Sequence, residues 1–264
     1  MQIGPQTNAL VTGASRGIGR ATARALGERG ARVGLIARSR DELEALAAEA
    51  EMKGAVMMPA DVSDRAAVEK AVSQFTEQAG PIELAVANAG LTSTMPFVDL
   101  DPERAEEIVR VNLLGTLNLV HAVLPGMLDR ARGHLVVVSS AAALRAFPWA
   151  AAYGASKAGQ KAFAEALRHE LSGTGVSVTT VYPGEVRTSL HSHEQDRMPD
   201  WFRHSDAIPA EVVAGAIVRA VIEDRREVHV PGQVRLLGLN DLAPGLVDRL
   251  LTLVRGGAAA PRRY

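Results

Sequence analysis

The sequence predicts a single α/β domain built on a doubly wound parallel sheet of about seven strands, with helices on both faces. Short apolar runs alternate with longer helical patterns along residues 9–130, which is the order expected when strands and helices follow one another. The short runs are apolar throughout, and this is typical of parallel strands that are covered on both faces. No linker rich in Pro, Gly or Ser and no internal repeat divides residues 1–264, so one domain is the simplest interpretation.

The predicted elements form strand–helix pairs along the chain. Residues 9–11 are a first strand, which runs into a glycine turn at 12–19 and a helix at 21–28. Right-handed crossovers then return each later strand to the same sheet. The later pairs and the last three strands are 33–37 with 41–52, 55–59 with 64–78, 84–87 with 102–130, and finally 135–139, 176–181 and 228–230.

Three segments depart from this alternation. Residues 190–208 show no clear periodicity, and we predict an inserted loop or short helices on the substrate side of the sheet. Residues 241–256 are predicted to form a C-terminal helix, which either covers the pocket, packs on another subunit or touches a membrane surface. Packing is favoured because the helix is short and only modestly basic. Residues 257–264 are predicted to be a loose tail. The apolar side chains of the C-terminal helix are Leu246, Val247, Leu250, Leu251 and Val254.

The composition excludes several classes of function. The 264 residues are 47% hydrophobic and 22% charged, with a net charge of -1, which describes one sizeable core inside an ordinary soluble surface. Long basic runs and uninterrupted apolar stretches are missing from the sequence, so neither nucleic-acid binding nor an integral membrane span is expected. Without cysteine there are no disulfides, catalytic thiolates or Cys-ligated zinc. The first residues lack a secretory signal, and we predict a cytoplasmic protein.

The glycine turn predicts an anion site. Gly13, Gly17 and Gly19 lie between a strand and a helix, where a helix N-terminus presents unpaired N–H groups to a ligand. A pyrophosphate fits such a site, whereas the alternative is that the glycines serve tight packing only. The strand and helix on either side favour the binding interpretation.

The end of the second predicted strand indicates the cofactor. A site for NAD usually has a carboxylate there for the ribose hydroxyls, about 20 residues after the glycines. This chain has Arg38 instead, and Arg16 lies inside the glycine turn. Two guanidinium groups can clamp a 2′-phosphate, so NADP is predicted in preference to NAD. The alternative is that both arginines are solvated surface residues.

A phenol, an ammonium group and a hydroxyl pair carry the predicted chemistry. Tyr153 and Lys157 are four residues apart and therefore share a helix face, and the pair Ser139 and Ser140 lies upstream. A tyrosine ordinarily titrates near pH ~10, and an adjacent cation lowers that pKa. Tyr153 is thus predicted to exchange a proton with an alcohol or a carbonyl.

These motifs together resemble the short-chain dehydrogenase/reductase family over residues 8–190. The resemblance rests on the turn from Thr12 to Gly19, on Asn88-Ala89-Gly90, on Ser140, and on Tyr153 with Lys157. The interval of 13 residues between Ser140 and Tyr153 is the one seen in that family, which favours Ser140 over Ser139 as the catalytic hydroxyl. The resemblance implies a Rossmann-like fold and an oxidoreductase.

The resemblance also implies roles for individual residues. Tyr153 would be the general acid in reduction and the base in oxidation, while Lys157 would hold the nicotinamide ribose and lower the Tyr153 pKa. Ser140 would donate to the substrate oxygen, and Asn112 would anchor a water that relays protons to Lys157. The implied cofactor contacts are Gly13, Ser15, Arg16, Gly17, Ile18, Gly19, Arg38, Asp61, Val62, Asn88, Gly90, Tyr153, Lys157, Pro183, Gly184, Val186 and Thr188.

Alternatives remain for some of these residues. The alternative for Asp61 is that it, or Ser63, caps the helix that begins near residue 64, and binding is favoured over capping. His191, His193 and His204 suggest a metal site, but their spacing matches no ligand pattern, so no metal is predicted. The family further implies a homodimer or homotetramer, formed through the helices that carry Asn112 and Tyr153.

The substrate is predicted to be hydrophobic. The residues expected near the mouth of the site are mostly apolar, which favours a ketone, an aldehyde or a secondary alcohol over a small polar acid. The competing function is a dinucleotide-binding sensor or scaffold without turnover, and the complete set of Ser140, Tyr153 and Lys157 favours the enzyme. The expected mouth residues are Leu91, Met95, Leu144, Phe147, Trp149, Leu190, Trp201 and Phe202.

Overall fold

A computed structural model describes residues 1–187, 207–241 and 244–245 and has a seven-stranded parallel sheet. The strand order is β3-β2-β1-β4-β5-β6-β9, in which the chain starts at the centre, winds to one edge and then to the other. The predicted fold class is confirmed. The strands of this sheet are β1 (Asn8–Thr12), β2 (Arg32–Ala37), β3 (Val56–Pro59), β4 (Leu84–Ala87), β5 (Gly133–Val138), β6 (Val176–Pro183) and β9 (Glu227–Val230).

Helices cover both faces of the sheet. Neighbouring residues of a strand contribute to different cores: Ala9 and Val11 pack with the helices of one face, and Leu10 packs with those of the other. This two-sided burial explains why the strands are apolar throughout. The helices of the first face are α1 (Gly17–Gly27), α2 (Arg40–Ala47) and α7 (Ala210–Ile222); the second face has α3 (Arg65–Ala79), α5 (Gly115–Asp129) and α6 (Ala151–Glu170), with α4 (Pro102–Val109) packed on α6.

The long helix predicted at 102–130 is two helices joined by a π-turn at Arg110–Leu114. By length and composition alone, the run Pro102–Asp129 is apolar enough to cross a membrane, but a core helix passes the same test. Of its most apolar stretch, 44% is buried inside the molecule, where α5 packs against α3 and β4. The run therefore serves as a core helix in this fold.

Other elements differ from the prediction in small ways. The helix predicted at 41–52 ends at Ala47 and is followed by a 3-10 turn at Ala50–Met52. Helix α7 was not predicted, although its apolar residues line the first face. Two short strands form a separate parallel pair: β7 (Val186–Arg187) lies just before the predicted insertion, and β8 (Ile208–Pro209) lies at its end. Most of that insertion, nearly all of the predicted C-terminal helix, and the tail lie outside the described residues.

Candidate active site

The glycine turn connects β1 to α1 and requires glycine at two positions. Gly13 has a φ of 64°, and a Cβ there would lie 2.8 Å from the Ala89 Cα. A Cβ on Gly19 would collide with the carbonyl oxygen of Gly13. Because Gly13 and Gly19 have no side chain, the start of α1 can lie close against the end of β1. The first main-chain N–H groups of α1 are then at the carboxyl end of the sheet. This geometry suits a pyrophosphate.

Asn88 fastens the turn after β4 to the turn after β1. Its side-chain Nδ2 donates to the carbonyl oxygen of Thr12 at 2.9 Å and to that of Gly13 at 3.3 Å. The Thr12 hydroxyl in turn accepts from the main-chain N–H groups of Asn88 and Ala89, at 3.0 and 3.2 Å. The two neighbouring strand ends therefore form one rigid floor, with Gly90 at its edge.

The acidic turn after β3 is held by its own hydroxyl neighbour. Asp61 Oδ1 accepts from the main-chain N–H of Ser63 at 2.8 Å and from its hydroxyl at 2.7 Å. The cap of α3 is Asp64, whose carboxylate accepts from the N–H of Ala67 at 3.1 Å, so neither Asp61 nor Ser63 has that role. The Val62 carbonyl accepts from Asn118 Nδ2 at 2.9 Å, which ties the turn to α5.

The two arginines lie at the end of the cleft beside this turn. Arg16 is exposed just before α1, and Arg38 follows β2 with 56% of its side chain accessible. Arg38 Nη1 is 3.9 Å from Glu107 Oε1. Both cations are thus available to a negatively charged group at this end of the cleft.

The hydroxyl pair predicted from sequence is divided between two tasks. Ser140 is hydrogen-bonded to the Tyr153 phenol through its side chain, and its hydroxyl oxygen also accepts from the N–H of Ala142 at 3.1 Å. The Ser139 hydroxyl instead donates to the main-chain oxygen of Lys157 at 2.9 Å. Ser140 is therefore the serine that contacts Tyr153.

Lys157 is almost completely buried beneath Tyr153. Only 4% of the residue is accessible, its Nζ donates to the Val138 carbonyl at 3.0 Å, and the same Nζ is 5.8 Å from the centre of the Tyr153 ring. Burial lowers the pKa of the Lys157 ammonium from 10.5 to about 7. At neutral pH this lysine is therefore near its point of half-protonation.

The pKa of the Tyr153 phenol is raised, in contrast to the sequence prediction. Burial disfavours the phenolate and is the larger influence, while the hydrogen bond with Ser140 opposes the rise. The same burial removes part of the Lys157 charge that was expected to lower the Tyr153 pKa. The phenol consequently keeps its proton at neutral pH.

Asn112 lies in the π-turn, completely buried, behind the cleft. Its Oδ1 accepts from the N–H of Leu91 at 2.7 Å, and its Nδ2 donates to the Leu91 carbonyl and to the Ser156 hydroxyl, both at 2.9 Å. Its main-chain oxygen accepts from the Thr116 hydroxyl at 2.8 Å and from Gln160 Nε2 at 2.9 Å. The residue holds the Leu91 segment against α6, and its carbonyl already has two side-chain donors.

The segment after β6 borders the opposite side of the cleft. The N–H of Gly184 donates to the Val230 carbonyl at 2.7 Å, and Val186 pairs with Ile208. Pro183, Gly184 and Val186 all face the cleft. Thr188 lies outside the described residues.

These elements enclose a cleft of about 620 Å³ at the carboxyl ends of the strands. Every described residue predicted to bind the cofactor or react contributes to its wall except Gly19 and Asn112, which lie behind it. Of the predicted mouth residues, Leu91 and Phe147 line the cleft, whereas Met95, Leu144 and Trp149 are not in its wall. Leu190, Trp201 and Phe202 lie outside the described residues.

Several cleft residues were not predicted. Ser39 caps α2 by accepting from the N–H of Glu42 at 3.3 Å, and the Ser-x-x-Glu spacing at a helix start is the signal that indicates this turn. Glu42 belongs to the same motif, and Glu185 lies between the predicted residues Gly184 and Val186. Thr92 and Thr94 come from a loop that carries no motif, so only the tertiary structure brings these two to the site. The unpredicted wall residues with polar side chains are Ser39, Glu42, Thr92, Thr94 and Glu185; Val234 and Leu237 add apolar surface.

The three histidines considered as metal ligands lie outside the described residues. Within the part of the chain that the structure describes, there is no group of three His, Cys, Asp or Glu side chains placed to hold a metal ion.

Comparison with known proteins identifies the family. Residues 7–199 match the short chain dehydrogenase family. An uncharacterised oxidoreductase of Myxococcus xanthus (strain DK1622) is 42% identical over 217 residues, which is 81% of this chain and 85% of that protein.

Solved structures share the fold. A short chain dehydrogenase/reductase from Burkholderia phymatum in complex with NAD has a TM-score of 0.83 at 24% identity, over 94% of this chain and 97% of that one. A variant of actinorhodin polyketide ketoreductase with NADPH has a TM-score of 0.80 at 29% identity, over 88% and 97%. The chain belongs to the short-chain dehydrogenase/reductase family and is an oxidoreductase that acts with a nicotinamide cofactor.

Proposed function

We propose that the chain transfers hydride between NADP(H) and a hydrophobic ketone or aldehyde, or the corresponding secondary alcohol, with Tyr153 as the general acid or base. The observation that carries the proposal is the Tyr153 phenol, hydrogen-bonded to Ser140 in the cleft wall and lying over the buried Lys157. A sensor without turnover has no chemical need for this arrangement.

The residues divide the work of carbonyl reduction. When bound, the reduced nicotinamide supplies the hydride to the carbonyl carbon. As the carbonyl oxygen gains negative charge, Ser140 donates a hydrogen bond to it and Tyr153 gives it a proton, which yields the alcohol. The raised Tyr153 pKa keeps the phenol protonated at neutral pH, which suits this direction. Alcohol oxidation needs the phenol to lose its proton first, so that direction is favoured by alkaline pH.

Lys157 acts from beneath the phenol. Its Nζ is anchored on the Val138 carbonyl, and its pKa of about 7 allows it to gain or lose a proton at neutral pH. It is placed to hold the ribose of the nicotinamide half and to replace the proton that Tyr153 gives away. Asn112 supports this side of the site through Leu91 and Ser156. Asn112 also anchors a water that relays protons to Lys157, and slower proton transfer in Asn112 variants would support this role.

The charge at the adenosine end of the cleft favours NADP over NAD. Arg16 and Arg38 both line the cleft at the adenosine end, and a 2′-phosphate binds guanidinium groups through charge-assisted hydrogen bonds. Gly13, Ser15, Gly17 and Ile18 provide the surface for the pyrophosphate. The remaining proposed contacts are with the adenosine and nicotinamide halves of the cofactor. They are Asp61, Val62, Asn88, Gly90, Pro183, Gly184, Val186 and Thr188.

The opposite end of the cleft favours a hydrophobic substrate. Ala141, Ala142, Phe147, Val234 and Leu237 line the wall near the catalytic group. Thr92, Thr94 and Glu185 add polar atoms to the same wall. The apolar share is typical of sites for small hydrophobic molecules with a few orienting polar contacts.

A homodimer or homotetramer of cytoplasmic, single-domain subunits completes the proposal. The alanines Ala151, Ala155, Ala158 and Ala162 form an exposed, slim face of α6, and Leu114 is 44% exposed at the π-turn. Such a face permits close approach of a second copy. Sedimentation of the purified protein as a monomer at micromolar concentration would contradict this assembly.

The decisive experiment compares the wild type with Tyr153→Phe on a panel of hydrophobic ketones and alcohols with NADPH or NADP⁺. We expect turnover to fall by at least a thousandfold while NADPH still binds, because only the proton donor is lost. Unchanged turnover would refute the mechanism. Absence of turnover with every substrate, together with tight nucleotide binding, would favour the sensor.

Arg38→Asp tests the cofactor preference: the ratio of kcat/KM with NADP to kcat/KM with NAD should fall at least tenfold.

A further inference from the structure

Glu107 lies between two arginines at the adenosine end of the cleft. Its Oε2 pairs with Arg104 Nη1 at 2.6 Å, and its Oε1 is 3.9 Å from Arg38 Nη1. Arg38 belongs to the cleft wall, whereas Glu107 and Arg104 belong to α4 outside it. The carboxylate is thus shared between a cation of the scaffold and a cation of the site.

The two pairings are unequal. Arg104 is held twice, by Glu107 and by the Thr92 carbonyl, to which its Nη2 donates at 3.0 Å. The side chains of Arg104 and Glu107 are 29% and 35% accessible, but that of Arg38 is 56% accessible. Glu107 therefore stays with Arg104 on α4, and Arg38 is the partner that a ligand can draw away.

A fixed carboxylate beside Arg38 affects the binding of NADP and of NAD differently, because only NADP carries a charged 2′-group. A 2′-phosphate carries up to two negative charges, is repelled by Glu107 and competes with it for Arg38. A 2′-hydroxyl carries no charge and is hardly affected. The weak contact at 3.9 Å contributes little orientation to Arg38, so repulsion outweighs any benefit from holding the side chain in place.

We propose that Glu107 sets the cofactor selectivity of this enzyme by weakening the hold of Arg38 on a 2′-phosphate, so that NAD and NADP are discriminated less strongly than Arg38 alone would allow. The inference rests on the proposed function, in which Arg38 faces the 2′-phosphate. It assigns a specificity-determining role to a residue outside the cleft wall.

The first test compares Glu107→Gln with the wild type in the binding of NADP⁺ and NAD⁺, measured by titration calorimetry at low and high salt. We expect the Kd for NADP⁺ to fall by about threefold to tenfold at low salt, and the gain to shrink at high salt because the interaction is screened. The Kd for NAD⁺ should stay within twofold. Glu106→Gln is the matched control: it removes the same charge from the same helix, but Glu106 pairs with Arg110 at 3.2 Å, and neither Kd should change.

The second test asks whether the effect passes through Arg38. In an Arg38→Ala background, Glu107→Gln should no longer tighten NADP⁺ binding by more than twofold. A gain that persists there, or an equal gain for NAD⁺, would overturn the inference. A separate result bears on the proposed function: if Arg38→Ala alone leaves the ratio of the two Kd values unchanged, Arg38 is not the 2′-phosphate ligand.

A third variant keeps the inference testable if Glu107→Gln destabilises α4. Arg104→Gln removes the stronger competitor for Glu107 and leaves the carboxylate to Arg38. NADP⁺ binding should then weaken by about twofold or more, the opposite sign to Glu107→Gln. Tighter NADP⁺ binding in this variant would count against the role of Glu107.

Discussion

Lys157→Met is expected to abolish turnover and yet to stabilise the folded protein near neutral pH. Lys157 is 4% accessible, and burial lowers its pKa from 10.5 to about 7. Between these two pH values the folded chain binds fewer protons at this site than the unfolded chain does. The free energy of unfolding of the wild type therefore rises with pH across this window. Methionine has a similar length without a charge, so the variant lacks this dependence.

The magnitude follows from the two pKa values. Each pKa unit corresponds to ~1.4 kcal/mol, so the wild type is disfavoured by roughly 4 kcal/mol at pH 7 and by roughly 2 kcal/mol at pH 9. The variant also loses the hydrogen bond to the Val138 carbonyl and leaves that buried oxygen without its donor, at a cost of about 1–3 kcal/mol. The net stabilisation at pH 7 is thus about 1–3 kcal/mol, and it should shrink by about 2 kcal/mol at pH 9.

Urea denaturation at pH 7, 8 and 9, at constant ionic strength and without added nucleotide, measures this difference. Lys70→Met, at an exposed position of α3, is the control and should show no such pH dependence. If the difference between wild type and Lys157→Met is the same at pH 7 and pH 9, the lysine does not have a depressed pKa and the reasoning fails.

Three further perturbations follow from the structure. Gly19→Ala places a Cβ on the Gly13 carbonyl oxygen, so we expect a loss of roughly 1–3 kcal/mol in stability and weaker nucleotide binding in calorimetry; wild-type affinity would contradict the close approach. Asn112→Leu removes three buried side-chain hydrogen bonds and should lower stability by roughly 2–4 kcal/mol in thermal unfolding, and an unchanged melting temperature would argue against the clamp on Leu91. Burial lowers the His134 pKa from 6.5 to about 4, so the wild type should lose roughly 2 kcal/mol between pH 7 and pH 5 that His134→Gln does not lose. Equal acid sensitivity of the two proteins in denaturant titrations would show that another group is responsible.

The sequence was most informative where a local rule leaves little freedom. The glycine spacing and the Tyr153–Lys157 interval each follow from backbone geometry over a few residues. The fold class, which was predicted from the alternation of apolar strands with helices, is confirmed. The interval seen in the family favoured Ser140 over Ser139 as the catalytic hydroxyl, and in the structure the Ser140 side chain is hydrogen-bonded to the Tyr153 phenol.

Prediction was least successful for properties that depend on burial or on contacts between residues far apart in the sequence. The lowered Tyr153 pKa was expected from a neighbouring charge, but burial acts on both groups and reverses the direction. Helix α7 was not predicted; apolar residues occupy part of its exposed face, where Val212 is 47% and Ile222 is 44% accessible, and this blurs its amphipathic pattern. Met95 and Trp149 were predicted to lie near the mouth of the site; in the fold neither residue is in the cleft wall, and the N–H of Met95 donates to the Trp149 carbonyl at 2.8 Å.

The sequence by itself determined the doubly wound sheet, the glycine turn and the spacing of Tyr153 and Lys157 on one helix, because strand burial, positive φ angles and helical spacing are local properties. Only the tertiary structure decided the protonation preferences of Tyr153 and Lys157 and the sharing of Glu107 between Arg38 and Arg104. These depend on solvent exclusion and on charges that approach from different parts of the chain, and neither quantity can be read from neighbouring residues.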